Sequence, residues 1–266
     1  MIETPIGVIL GSSFSKEFAT ELGLVAAPVA TAHGPVLLYR SAHARPAYCL
    51  FRHGLPHHLL PNHIAWRANA SALRNVGVGA LLVTSSVGVL DASIPLFEPL
   101  VVSDLLMLEN RLSDGSLCTM FETPSADHAH LVLDEGLLSD ALTDQIRDLA
   151  RVAGHPISAD VVFGYAPGPR TKTRAENAAW AKLGAQVNSM TLGPEIVLAN
   201  ELGIPCAGLV VGHKHSLPSG SPAAGEALAA SLVRARVGLE AIVLRFIESG
   251  TTVPSRNSLF RFGANR

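Results

Sequence analysis

Cysteine is scarce in this chain. Cys49, Cys118 and Cys206 are the only three in 266 residues. They lie far apart with no C-x-x-C, which excludes a disulfide framework or zinc knuckle as the organising feature and fits a reducing, cytoplasmic setting. An excess of charge of one sign is also missing: the formal net charge is −2, so nothing calls for nucleic acid or an anionic membrane surface as partner. No stretch reaches the roughly 18 apolar residues a membrane helix needs. The opening "MIETPIGVILGSSF" carries an acid where a secretory signal carries bases. A small-molecule partner is expected.

What the chain has in quantity is apolar residues, 48% of the total, enough for one sizeable core and a single domain over 1–266. Short β-branched runs alternate with helical patterns, which predicts an α/β fold, a sheet covered by helices. Strands are expected at 7–10, 36–40, 48–52, 80–84, 99–103, 161–165, 186–190 and 206–211. Several are apolar throughout and so buried on both faces. Helices are expected at 62–75, 139–153, 173–183, 194–202 and 222–247, the last with Ser221 as N-cap and Pro222 at its first position. The tail from Thr251 to Arg266 reads either as loose or as packed on a neighbouring subunit.

Five stretches carry side chains suited to chemistry. "GVILGSSF" at Gly7–Phe14 runs a strand into Gly11-Ser12-Ser13, where backbone amides and a hydroxyl suit an anion. It is neither G-x-x-x-x-G-K-[ST] nor G-x-G-x-x-G, so those nucleotide loops are not indicated, and taken alone the stretch reads better as an ordinary strand-to-helix turn. "FRHGLPHHLLPNHIAWRAN" places Arg52 and His53 directly after a strand, a fixed cation and a ring donor for phosphate or carboxylate. Its four histidines, His53, His57, His58 and His63, lack the spacing of a helical metal motif, so no metal is expected. "VTSSVGVLD" is expected to end a strand in Thr84-Ser85-Ser86 and then turn at Gly88, putting hydroxyls at a strand's carboxyl end. The others are "GPRTKTRAE" at Gly168–Glu176 and "GHKHS" at Gly212–Ser216. The last reads as a metal site, an acid/base pair or a solvated turn.

Together with "TAHGP" at Thr31–Pro35 and "GAQVNSMTLGPEIVLANELGI" at Gly184–Ile204, these stretches resemble the trimeric purine nucleoside phosphorylase and 5′-methylthioadenosine phosphorylase family, in the family's order, from about residue 6 to 216. The resemblance implies a twisted mixed sheet, partly closed like a barrel and flanked by helices, in a homotrimer. It implies phosphorolysis of a purine nucleoside to free base and a ribose 1-phosphate, with phosphate as co-substrate and neither metal nor organic cofactor. It assigns Ser12, Arg52, His53, Ser85, Ser86 and Thr191 to phosphate, and Met190 to the ribose. His130 or His128 corresponds to a histidine that an adjacent subunit brings to the 5′ end.

The base site departs from that pattern. Where the adenine enzymes carry Asp-x-Asp and the 6-oxopurine enzymes Asn-Lys, this chain has His213-Lys214-His215. Where both branches place an aromatic after GPR, it has Thr171 followed by Lys172. Lysines and a protonated histidine are donors and suit a carbonyl-bearing base better than an amino-bearing one. His213 is expected to help the base leave, either as an imidazolium giving a proton to N7 or, if Lys214 lowers its pKa, as a neutral N–H. The segment Leu217–Leu232 has no histidine for a 5′-hydroxyl, which favours a 5′-deoxy or 5′-methylthio sugar. Two rival functions follow from the same departures: a homologue that only binds a nucleoside or base, and a nucleosidase in which water replaces phosphate.

Overall fold

The computed structural model describes residues 4–43, 45–123, 129–217 and 225–261. In chain order the elements are β1 (Ile6–Leu10), α1 (Lys16–Glu21), β2 (Val25–Val29), β3 (Val36–Arg40), β4 (Ala47–Phe51), α2 (Trp66–Asn75), β5 (Leu81–Val89), β6 (Pro99–Leu106), β7 (His130–Val132), α3 (Asp140–Val152), β8 (Ala159–Tyr165), α4 (Arg174–Lys182), β9 (Val187–Ser189), α5 (Gly193–Glu201), β10 (Cys206–His215), α6 (Gly225–Ser249) and β11 (Ser258–Phe260).

Nine strands form one mixed sheet in the order β10-β6-β8-β9-β5-β1-β4-β3-β2. An added pairing of β10 with β5 joins five of them into a closed ring. β5 makes this possible by its length. Its first residues pair with β1 on one edge, Gly88 and Val89 pair with β9 further along, and β10 runs parallel to it throughout. The architecture is therefore α/β, with a twisted mixed sheet, partly barrel-like, between helices.

Both faces of the central strands are buried, as their unbroken apolar runs require. Side chains alternate between two core layers. Ile9, Val83 and Val210 enter the layer with Ala72 of α2 and Ile196 of α5. Val8, Leu82 and Leu209 enter the other, with Phe18 of α1, Ile146 of α3 and Phe246 of α6. Helix α6 presents Ala235, Leu239, Ile242, Val243, Phe246 and Ile247 to that layer, a 3.6-residue stripe. Each large apolar side chain buried this way contributes about 1.5–3 kcal/mol.

The structure corrects several expectations. The helix expected from residue 62 begins at Trp66; Pro61–His63 make a separate 3₁₀ turn, and Ile64 behind it is extended (φ −69°, ψ 126°). No turn occurs at Gly88 or at "GHKHS": β5 continues to Val89 and β10 to His215, because each supplies the other's backbone partners to the end. Strands β2, β7 and β11 were not indicated by the sequence, and helix α1 only as the helical side of a strand-to-helix turn after Gly11-Ser12-Ser13. The short elements lack a readable period, and β2 is an edge strand containing Pro28. The proposed cap Ser221 and Pro222 lie outside the described residues. The tail, as far as Phe260, is docked on its own chain. Thr251 exchanges hydrogen bonds with Gln145, Asn257 binds the amides of Asp134 and Glu135, and β11 pairs with β7.

Candidate active site

A cavity of about 380 Å³ opens beside the carboxyl half of β5. Ser12, Arg52, His53, Ser85, Ser86, Thr171, Lys172, Met190, Thr191, His213 and Lys214 all line it, so eleven positions drawn from six separate sequence stretches converge. His215 is exposed at the end of β10 and does not line it; nor does His130, exposed on β7. His128 lies outside the described residues.

The turn after β1 is fixed by Thr84, whose hydroxyl donates to the Ile9 carbonyl (2.9 Å) and accepts from the Gly11 amide (3.1 Å). A side chain at Gly11 would press on the Thr84 carbonyl and the Arg52 guanidinium. Buried Ser13, one residue past Ser12, shares a short hydrogen bond with Ser86, tying the turn to β5. The Ser85 hydroxyl lies 3.4 Å from those of Ser189 and Thr191.

Arg52 is 2% exposed and pairs with Glu195 through two bonds, Nε to Oε1 at 2.7 Å and Nη2 to Oε2 at 2.5 Å. Its Nη1 donates to the Thr84 carbonyl (2.7 Å) and the Thr191 hydroxyl (3.2 Å). Burial pushes the Glu195 carboxyl up; the guanidinium and the Leu192 amide, donated at 3.0 Å, work against it. The arginine is therefore not the free cation its sequence position suggests. Glu195 offsets its charge, and Arg52 orients Thr191 as much as it faces the cavity. The sequence signal for Glu195 was available, an acid in the first turn of a helix whose N-terminus borders the site.

His53 is corrected in a different way. Its Nδ1 lies 2.9 Å from the Leu59 carbonyl. A carbonyl only accepts, so Nδ1 carries the proton, and in the neutral ring Nε2 is an acceptor. Burial first, then Arg52, lowers the ring's pKa to about 4, so the neutral form prevails at pH 7. The residue offers a lone pair, suited to the P–OH of a protonated phosphate, rather than the expected donor. Its neighbours in the histidine cluster have ordinary partners. His57 stacks on it at 4.4 Å and His58 Nδ1 donates to the Pro56 carbonyl at 2.7 Å.

At the far end, the β5–β10 register shifts between Gly212 and Lys214, leaving His213 as the extra residue of a bulge. Bulges re-aim side chains next to active sites, and here the imidazole turns into the cavity. Burial and then Lys214 lower its pKa to about 4, with the Val87 carbonyl pulling the other way. Burial and Lys214 thus favour the neutral ring over a resident imidazolium. Its Nδ1 is buried with no hydrogen-bond partner among the described residues.

Lys172 is carried by a loop locked at both ends. Thr173 caps α4 by accepting the Glu176 amide (3.2 Å), and the Glu176 carboxylate accepts the Thr173 amide (2.7 Å), the reciprocal capping box of a T-x-x-E sequence. The same carboxylate holds Arg170 by two bonds at 2.7 and 2.9 Å. Sequence reasoning missed Asn177, Asn188, Ser189 and Ser216, which also line this end. The Asn188 amide donates to Asn177 at 3.0 Å. Asn188 and Ser189 sit immediately before Met190, inside a stretch already singled out, whereas Asn177 had no signal beyond lying one turn after the cap of α4.

Comparison with known proteins agrees with this geometry. Residues 5–248 match the family described as "Phosphorylase superfamily". S-methyl-5′-thioadenosine phosphorylase of Thermofilum pendens is 30% identical over 76% of this chain and 75% of its own. A probable S-methyl-5′-thioinosine phosphorylase of Methanopyrus kandleri is 33% identical over the same shares. Among solved structures, an adenosine/methylthioadenosine phosphorylase from Schistosoma mansoni with tubercidin superposes with a TM-score of 0.79 at 21% identity, covering 92% of this chain and 91% of that one. A methylthioadenosine phosphorylase from an antarctic soil metagenomic library gives 0.77 at 20% identity, over 92% and 85%. No helix among the described residues is long and apolar enough to cross a membrane. On the extent of the family match and the identity to these relatives, the chain belongs to the phosphorylase superfamily.

Proposed function

We propose that the protein phosphorolyses a purine nucleoside: a phosphate oxygen bonds to C1′, the C1′–N9 pair leaves with the base, and the base takes up a proton. The observation that carries this reading is the placement, in one cavity, of a hydroxyl-lined wall around Ser12, Ser86 and Thr191 with His53 beside it, and of Met190 and His213 beyond. Hydroxyls hold phosphate with the Arg52 guanidinium beside them; the His53 lone pair accepts its P–OH, which orients the ionised oxygens towards C1′. As the bond breaks the sugar becomes cationic, and the bound dianion stabilises it while attacking. Neutral His213 directs a ring nitrogen at the departing purine. Phosphate is the co-substrate, and no organic cofactor or metal takes part.

The sugar is read as 5′-deoxy-5′-methylthio, in keeping with the names of the two relatives above. A homotrimer is part of the same reading: Leu108, Leu117, Leu133 and Phe260 are 57, 56, 49 and 51% exposed. His130, paired with Phe260 on the β7–β11 ribbon away from its own cavity, is then the residue offered to a neighbour. Light scattering checks the mass.

The activity test is base release from inosine, guanosine, adenosine, methylthioinosine and methylthioadenosine, with and without phosphate. Phosphate-dependent release supports the reading. Release indifferent to phosphate makes the protein a nucleosidase, and binding without release makes it a nucleoside-binding homologue. Full phosphorolysis by Arg52→Ala would sink the phosphate-site assignment.

A further inference from the structure

Two lysines line the cavity at the end where relatives hold the base. Gly88, opposite Lys214 in the β5–β10 register, is four residues along β5 from Thr84, which binds Arg52; that is roughly 13 Å of extended strand. Arg52 already has its carboxylate. Among the described residues Lys172 and Lys214 have no carboxylate or hydrogen-bond partner, and no described Asp or Glu lines the cavity. The acid nearest in sequence to Lys172, Glu176, is committed to Arg170 and to the Thr173 amide. Lys214 raises the cost of the Lys172 ammonium, as the lowered pKa of Lys172, to about 8, reflects after burial itself. Two unpaired like charges brought into one half-buried pocket are stabilised only by a ligand that supplies negative charge or oxygen acceptors.

Acceptors in this pocket come from elsewhere. Asn188, Ser189 and Ser216 line the same end, and the Asn188 amide donates to Asn177. The two lysines can only donate, whereas the Asn188, Ser189 and Ser216 side chains can accept. A ligand edge that answers both kinds of group carries two carbonyls and an N–H, as the C(=O)–NH–C(=O) imide edge does.

We propose that, within the phosphorylase reading above, the base is a dioxopurine whose two ring carbonyls are received by Lys172 and Lys214, and that these two lysines select it over aminopurines. An exocyclic amino group would face ammonium donors and remain unpaired. A dioxopurine also ionises more readily than a mono-oxopurine, so the lysines hold part of its charge before reaction and the leaving charge during it.

The test is calorimetric binding of free xanthine, hypoxanthine, guanine and adenine to the intact protein, alongside phosphate-dependent release from the matching nucleosides. Xanthine is expected to bind at least tenfold more tightly than adenine. Lys172→Met and Lys214→Met, each verified as folded by its thermal midpoint, are expected to weaken xanthine binding at least tenfold and adenine binding less, collapsing the preference. Adenine binding equal to or tighter than xanthine in the wild type, or equal losses for both bases in the variants, overturns the proposal. Binding and turnover separate the two readings. Selective xanthine binding with no phosphate-dependent release keeps the base assignment and rejects the phosphorylase, whereas phosphorolysis confined to adenine nucleosides does the reverse.

Discussion

Arg52 and Glu195, 143 positions apart, meet in a buried two-point ion pair, with Nε–Oε1 at 2.7 Å and Nη2–Oε2 at 2.5 Å. The pair joins the segment after β4 to the first turn of α5, and through Nη1 it also holds the Thr84 carbonyl at the centre of β5. Removing one member strands the other charge without water. Glu195→Ala is therefore expected to lose about 3–5 kcal/mol of folding stability, read as a lower urea midpoint. A midpoint equal to wild type would mean that the guanidinium has solvent access the structure denies it.

Gly54, directly after His53, has φ +81°, and a Cβ there would lie 2.1 Å from the His58 ring. The turn it makes directs the His58 and Leu59 amides back to the His53 carbonyl (2.9 and 3.0 Å) and sets the Leu59 carbonyl against His53 Nδ1. Gly54→Ala combines left-handed strain with that clash, so a loss of about 1–3 kcal/mol is expected. Because His53 is released with the loop, KM for phosphate is expected to rise more than KM for nucleoside. Equal changes in both would detach the turn from the phosphate end.

The long elements were legible because burial on two faces writes itself as an apolar run, and β1, β3, β4 and β8 emerge within two residues of expectation at either end. The extensions of β5 and β10 were not, since Gly88 and Lys214 look like loop residues and are strand residues by virtue of pairing with each other and, for Gly88, with Asn188 of β9. Most site residues were visible as a set through motif order, and the cavity collects eleven of them but neither His215 nor His130. Their protonation was not: a histidine reads as a donor until its partner is seen, and only the Leu59 carbonyl shows which nitrogen of His53 is occupied. Glu195 was overlooked for a similar reason, since nothing in sequence ties it to an arginine so far away.

His53 and His213 are both held at about 4, by burial with Arg52 and by burial with Lys214 respectively. In the unfolded chain imidazoles titrate near 6.5. Between these values the unfolded state binds more protons, so stability rises with pH across that window. The contribution is complete above about pH 6.5 and is lost as pH falls towards 4, by about 1–3 kcal/mol per ring. Thermal midpoints measured from pH 7 to 4.5 are expected to drop less steeply in a His53→Asn, His213→Asn double variant. A double variant tracking the wild-type curve would assign the acid sensitivity to carboxylates instead.

Catalysis should titrate on the other side of neutrality. With His213 neutral down to about 4, no acid limb near pH 6.5 is expected from it in kcat/KM, and His213→Gln should lower the rate without moving a limb. Lys172 sits at about 8, lowered by burial and then by Lys214, with Glu176 opposing. Its useful form is the ammonium, present below that value, so kcat/KM for a carbonyl-bearing nucleoside should fall as pH rises through about 8. Lys172→Met should remove the limb; ionisation of the nucleoside itself is common to both proteins and survives the substitution. A bound acceptor favours the ammonium, so the same limb in kcat, which reports the complex, should lie at higher pH than in kcat/KM. An alkaline limb unchanged in Lys172→Met would place the titrating group elsewhere, and limbs at equal pH in kcat and kcat/KM would mean that the lysine does not touch the substrate.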